Sequence, residues 1–224
     1  MVENGTTNCK WDTIIPFAPL WEAYKRVIKP NGAIVLFGSQ PFTSALVMSN
    51  PKMFRDEWVW QKNRATRHLD AKKRPLKSHE NIIVFGLKQP VYFPQKSAGH
   101  KITNTRHNGI GNLKKILEGR IEKSVYSPST FRFPQSVQAF SVEAGKHGGL
   151  HPTQKPVALF EYLIKTYSNP GDLVLDNCIG SGTTAAACIS TSRHYIGIEQ
   201  NDEYFKVAVN RVRTTLPTLL TCME

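Results

Sequence analysis

Three things are scarce in this chain of 224 residues. No apolar run approaches the ~18 residues that a membrane-spanning helix needs, and the first residues lack the basic-then-apolar order of a secretory leader. Cysteine is sparse: Cys9, Cys178, Cys188 and Cys222 show no CxxC or other metal-ligand spacing, and a chain of this size needs no disulfide framework. They read as reduced thiols in a cytoplasm, and no metal is expected. Acidic residues are the third shortage, 17 Asp and Glu against 29 Lys and Arg, a formal charge of +12. That imbalance points to a polyanionic partner, with nucleic acid as the default and a basic surface without function as the plain alternative.

What remains is ample for one core. Hydrophobic residues make up 40% and aromatics 10%, which suits one elaborated domain. Trp21, Tyr24, Val27 and Ile28 recur at helical spacing, and Lys29-Pro30-Asn31-Gly32 stops that helix. The continuous apolar run Ala33 to Gly38 then predicts a parallel strand buried on both faces. Two further strand-like runs, Glu57 to Lys62 and Asn81 to Gly86, flank a stretch dense in positive charge. Between Lys52 and Lys77 stand nine Lys or Arg and only three acids, a candidate phosphate-contacting loop. Residues 88–150 lose all periodicity, as a loop-rich insertion or a partly disordered stretch would; Val91-Tyr92-Phe93-Pro94 and Phe131-Arg132-Phe133-Pro134 suggest short strands and favour the ordered insertion.

Regularity returns at residue 151. A helix is predicted from Pro156 to Tyr167, a short strand at Leu173-Val174-Leu175-Asp176, a glycine loop at Cys178-Ile179-Gly180-Ser181-Gly182, and a small-residue helix from Thr183 to Ser192. A second strand follows, Tyr195-Ile196-Gly197-Ile198-Glu199, and a closing helix from about Asp202 to Arg213. Strand, glycine turn, helix, strand and acid is the arrangement that holds a nucleoside at the carboxyl ends of parallel strands. Gly180 and Gly182 let the backbone turn sharply and approach a ligand. Glu199 can accept two hydrogen bonds from ribose hydroxyls. A phosphate loop is disfavoured, because GxxxxGK[ST] needs a lysine where Thr183 stands. A dinucleotide fingerprint survives on spacing alone, as does a turn that serves only helix packing.

The loop has company. His151-Pro152-Thr153-Gln154-Lys155-Pro156, then Asp176-Asn177-Cys178-Ile179-Gly180-Ser181-Gly182-Thr183-Thr184, then Gly197-Ile198-Glu199, resembles the cofactor half of the exocyclic-amino DNA methyltransferases. The order, with these motifs after the insertion, resembles the circularly permuted beta class. Gly32 to Ser39 and Lys77 to Phe85 are similar to front-half segments of the same family. The resemblance implies an α/β, Rossmann-like S-adenosylmethionine-dependent methyltransferase fold with a mostly parallel sheet. It implies a front half at 1–87, a target-recognition insertion at 88–150, a cofactor-binding half at 151–213 and a tail at 214–224. By resemblance Thr153, Lys155, Asp176, Asn177, Cys178, Gly180, Ser181, Gly182, Thr183 and Glu199 bind S-adenosylmethionine, with Lys155, Thr153 and Thr183 near its methionine end. Pairing of Lys155 with the methionine carboxylate is also physically sensible.

Double-stranded DNA is the implied partner, methylated at adenine N6 or, second, cytosine N4. The implied setting is a bacterial or phage-encoded protein of the cytoplasm, at the nucleoid and off membranes, with monomer and homodimer both open. Lys62, Arg64, Arg67, Lys72, Lys73 and Arg74 are the first candidates for phosphate contact, and Lys96, Lys101, Arg106, Lys114 and Lys115 a second set. One family motif is missing: no (D/N/S)PP(Y/F/W) tetrapeptide occurs, and its expected place holds Met1, Val2, Glu3 and Asn4. That tetrapeptide grips the target amine and stacks on the flipped base, so its loss implies a catalytically impaired chain, incomplete at its N-terminus. A remnant that holds DNA, cofactor or both without turnover is the competing expectation.

Overall fold

A computed structural model of the chain describes residues 14–100, 130–142 and 154–220. The expectations for Met1 to Asn4, Thr153, Lys101, Arg106, Lys114 and Lys115 lie outside the described residues. The chain divides into two units, one of 1–93 with 135–224 and one of 94–134.

The first unit opens with α1 (Phe17–Val27), whose apolar stripe buries Leu20 and Trp21. β1 (Ile34–Gly38) follows, then α2 (Phe42–Ser49), β2 (Phe54–Thr66) and β3 (Lys77–Phe85). After the second unit come β4 (Val137–Phe140), α3 (Val157–Tyr167), β5 (Leu173–Asp176), α4 (Thr183–Ser190), β6 (His194–Gly197) and α5 (Asp202–Leu220). Four strands form one sheet in the order β1-β3-β2-β4, and β5 with β6 form a second.

β1 and β2 both run antiparallel to β3, whereas β2–β4 and β5–β6 are parallel. The apolar run at 33–38 therefore departs from the expected parallel strand buried on both faces. Its described partner is antiparallel, and only Ile34 and Gly38 are fully buried. Continuous apolar runs mark burial more reliably than they mark strand direction. The highly charged interval 52–77 is mostly hairpin: β2 is 13 residues long and carries bulges at Phe54/Asp56 and Gln61/Thr66.

Two layers cover the larger sheet. On one face Trp21, Phe42, Leu46 and Met53 pack on Ile34, Ile83 and Phe85; on the other, Leu159 and Leu163 of α3 pack on Trp58, Trp60, Ile82 and Val84. The same helix turns Ile164 toward Ala187 and Cys188 of α4, with Val174 and Tyr195 from the small sheet. α3 thus serves both sheets. Alternation along β5 and β6 leaves the side chains Leu173, Leu175 and Ile196, with Ile198 beyond, 42–56% exposed. α5 closes the unit by setting Ala208 against Ile179 and Ala185. In the second unit, the short piece at 131–134 contributes a bridge, Ser97 with Arg132, and the ammonium of Lys96 lies 4.4 Å from the ring centre of Phe133. The strand-like piece at 91–94 forms no strand.

Candidate functional site

The glycine loop is built from its carboxylates outward. β5 ends at Asp176, whose Oδ1 accepts the Cys178 amide at 3.0 Å and whose Oδ2 accepts the Thr184 hydroxyl. One side chain thereby ties the start of the loop to the first turn of α4. Across the bend, Glu199 Oε2 accepts the Gly180 amide and Oε1 accepts the Asn201 amide, both at 2.9 Å. The small sheet extends past its strands through Ile198 N to Asp176 O and Ile179 N to Ile198 O. Asp176, the loop and Glu199 therefore share one rim at the carboxyl ends of two parallel strands.

Glycine is required at the bend. Gly180 and Gly182 take φ of 54° and 80°, the left-handed region that a Cβ penalises. A Cβ on Gly182 would also lie 3.0 Å from the Ala208 Cα, inside α5. With Gly182 as its cap residue, α4 presents first-turn amides beside Ser181 and Thr183, a concentration of partial positive charge.

Several residues without a sequence signal complete this rim. Arg211 on α5 donates to Ser181 Oγ at 3.4 Å and Thr183 Oγ1 at 3.1 Å. Tyr24 on α1 donates to Asn177 Oδ1 at 3.0 Å, and burial, with Cys178 and Asp176 nearby, pushes its phenol up to about 12. Tyr24 stays a neutral donor across the physiological range. Helical spacing in the sequence placed Tyr24 on an apolar stripe and gave no sign that its hydroxyl would reach a loop 153 positions away.

Lys155 stands at the entry to α3. Its carbonyl accepts the Thr183 hydroxyl at 3.4 Å, and its Nζ lies 3.2 Å from Glu80 Oε2. Lys155 and Thr183 are thus neighbours, whereas the Glu80 partnership had no sequence signal. The opposite oxygen of Glu80 accepts Lys62, so Lys62 turns inward and stands apart from the other basic candidates. Burial raises the Glu80 carboxyl, but Lys155 and Lys62 more than reverse this and hold it below the usual range. Arg64, Lys72, Lys73 and Arg74 are exposed on or beyond the ends of the β2–β3 hairpin, with Arg67 half-buried. Arg74 is ion-paired with Asp70, and Arg67 holds a left-handed φ of 70°. Burial and the proximity of Arg67 lower the Lys77 ammonium, a sign of crowded positive charge. Among the described residues no cluster of His, Cys, Asp and Glu could hold a metal ion, and no helix is long and apolar enough to cross a membrane.

The family model for N6/N4 DNA methylases matches residues 11–210. The chain belongs to that family. The Type II methyltransferase M.HpaI of Haemophilus parainfluenzae is 28% identical over 215 residues, 93% of this chain and 63% of its own length. The DNA adenine methyltransferase YhdJ of Escherichia coli K12 is 53% identical over 62 residues, 28% of this chain and 21% of its own. The crystal structure of the M1.HpyAVI–SAM complex superposes with a TM-score of 0.59 at 26% identity, covering 88% of this chain and 85% of that one. The α/β architecture is thus that of the Rossmann-like methyltransferases. The chain spans between half and two-thirds of the length of the first curated relatives it matches, 63% of M.HpaI and 52% of M.HinfI.

Proposed function

We propose that this chain is an S-adenosylmethionine-dependent DNA methyltransferase of the exocyclic-amino type, acting on adenine N6. The observation that carries the reading is the shared rim of Asp176, Gly180, Gly182 and Glu199, set by loop amides that donate to both carboxylates. The residues fit the cofactor. Each Glu199 oxygen takes one backbone amide, and a carboxylate has roughly four lone-pair sites, so capacity remains for ribose hydroxyls. Asp176, Asn177 and Cys178 line the loop's entry, while Ser181 and Thr183 sit where Arg211 and the α4 N-terminus supply positive potential. Lys155, with Thr153, would meet the methionine carboxylate. The cofactor supplies an electrophilic methyl group on sulfur. The chain's part is to hold that donor in one orientation and to exclude water from it.

The DNA partner is met by the β2–β3 hairpin. Arg64, Arg67, Lys72, Lys73 and Arg74 gather at its tip around Leu69, which is fully exposed. Such contacts fix register on phosphates and carry no base information. Nucleoid association and a homodimeric state belong to the same proposal. A second reading is binding of DNA and cofactor without turnover. Calorimetric titration with S-adenosylmethionine tests the shared premise, and absence of binding would refute both readings. Transfer of labelled methyl to unmethylated duplex separates them, since incorporation supports the enzyme and binding without incorporation supports the second reading.

A further inference from the structure

Three side chains from distant parts of the sequence meet beside Phe37 and Trp60. Glu80 of β3 accepts Lys62 of β2 on one oxygen and lies 3.2 Å from Lys155, at the entry to α3, on the other. Their side chains are only 13% (Lys62), 18% (Glu80) and 14% (Lys155) exposed. The Lys155 ammonium lies 5.5 Å from the ring centre of Phe37, which is stacked on Phe160 at 5.4 Å and 4°. Lys62 lies 4.9 Å from the ring centre of Trp60. Both ammonium groups are therefore confined from two sides, by a shared carboxylate and by an aromatic face.

Glu80 thus offers one oxygen to each lysine, and its carboxylate restrains the Lys155 ammonium beside the face of Phe37.

We infer that Glu80 is a positioning residue: it fixes the Lys155 ammonium for the carboxylate at the methionine end of the cofactor, and Lys62, on its other oxygen, holds that carboxylate in place. This rests on the reading of Lys155 given under the proposed function. Glu80 also links the β2–β3 hairpin to Lys155, whose carbonyl accepts the Thr183 hydroxyl of the rim.

Two ligands separate positioning from general support: S-adenosylmethionine, and 5′-methylthioadenosine, which keeps the nucleoside and sulfur but lacks the amino-acid end. Calorimetry with the full chain is expected to show that Glu80→Gln weakens S-adenosylmethionine about 10-fold and leaves methylthioadenosine within about 2-fold. Lys155→Met should show the same selectivity, and the double variant should bind no worse than Lys155→Met alone. Lys62→Met should give a smaller loss in the same direction. Equal weakening of both ligands by Glu80→Gln would make Glu80 a fold support and overturn the inference. No weakening by Glu80→Gln, with Lys155→Met still impaired, would overturn it while sparing the reading of Lys155. If Lys155→Met binds as the parent does, that reading fails and the inference falls with it. Should Glu80→Gln not fold, Glu80→Asp keeps the charge, withdraws it by one methylene and carries the same two-ligand comparison.

Discussion

Gly182 and Gly171 share a φ of +80°, yet their surroundings differ, so the same substitution at each isolates one physical quantity. An alanine at either site accepts left-handed strain of about 1–2 kcal/mol. At Gly171 a new Cβ meets nothing within 4 Å, and strain is the whole effect. At Gly182 the Cβ would lie 3.0 Å from Ala208 Cα and 3.2 Å from both its Cβ and its carbonyl oxygen. These atoms are fixed to the helix and cannot swing aside, so α5 must shift, which adds about 1–3 kcal/mol of overpacking. The expected losses are roughly 1–2 kcal/mol for Gly171→Ala and 2–5 kcal/mol for Gly182→Ala. At about 2–4 °C per kcal/mol for a chain of this length, Tm falls by roughly 2–8 °C and 4–20 °C respectively. Thermal unfolding followed by circular dichroism measures both. A shift of α5 also withdraws Arg211 from Ser181 and Thr183, so cofactor affinity should drop in Gly182→Ala and hold in Gly171→Ala. Equal losses of stability at the two sites would refute the idea that α5 presses on the loop.

Glu199→Ala removes the acceptor of two loop amides and is expected to weaken the cofactor by about 1.5–3 kcal/mol, roughly 10- to 150-fold, with non-specific DNA binding nearly intact by fluorescence anisotropy. Neutralising Arg64, Arg67, Lys72 and Lys73 together should weaken binding to every duplex and flatten the logarithmic salt slope by ~0.9 for each phosphate that is no longer neutralised; an unchanged slope would remove that patch from the interface. Because Glu80 is held below the usual carboxylate range, its ion pairs contribute stability above a pH of about 4.3, the unfolded value, and that stability is lost as pH falls through the lower folded value. The parent should therefore lose stability over that acid interval more steeply than Glu80→Gln in urea titrations at successive pH values. Cys188 is fully buried, and its thiol is pushed up to about 12 by burial and by Asp176, against a weaker opposing pull from Arg193. Iodoacetamide should spare Cys188 and modify half-exposed Cys178 in the glycine loop, with bound cofactor slowing the latter; peptide mass spectrometry reads both.

Most of the second half was legible because local chemistry determines it. The Asn169-Pro170-Gly171 stop, the strand ending at Asp176 and the left-handed glycines each act within a few residues, and all stand where spacing placed them. Helix α2 escaped notice because Phe42, Leu46, Val47 and Met48 wrap around it and leave no polar face to mark a period. Strand direction escaped as well: an apolar run specifies two covered faces and is silent about its neighbour's polarity. Contacts such as Tyr24 with Asn177, Lys155 with Glu80 and Arg211 with Thr183 depend on tertiary approach across tens to more than a hundred positions, which no local pattern encodes. Lys62 shows the limit of charge counting. Its place in a basic stretch suggested solvent and phosphate, and a carboxylate 18 positions later turned it inward.

The dual packing of α3 has a spectroscopic corollary. All four tryptophans lie within the first 60 residues, and none is near the glycine loop in sequence. Trp58 nevertheless donates to the Tyr167 hydroxyl at 2.7 Å on the last turn of α3, the helix whose Ile164 holds α4. Loss of α3 from its two packing partners would release that indole, so intrinsic emission reports on a helix that the nucleoside-binding half shares but that carries no tryptophan of its own.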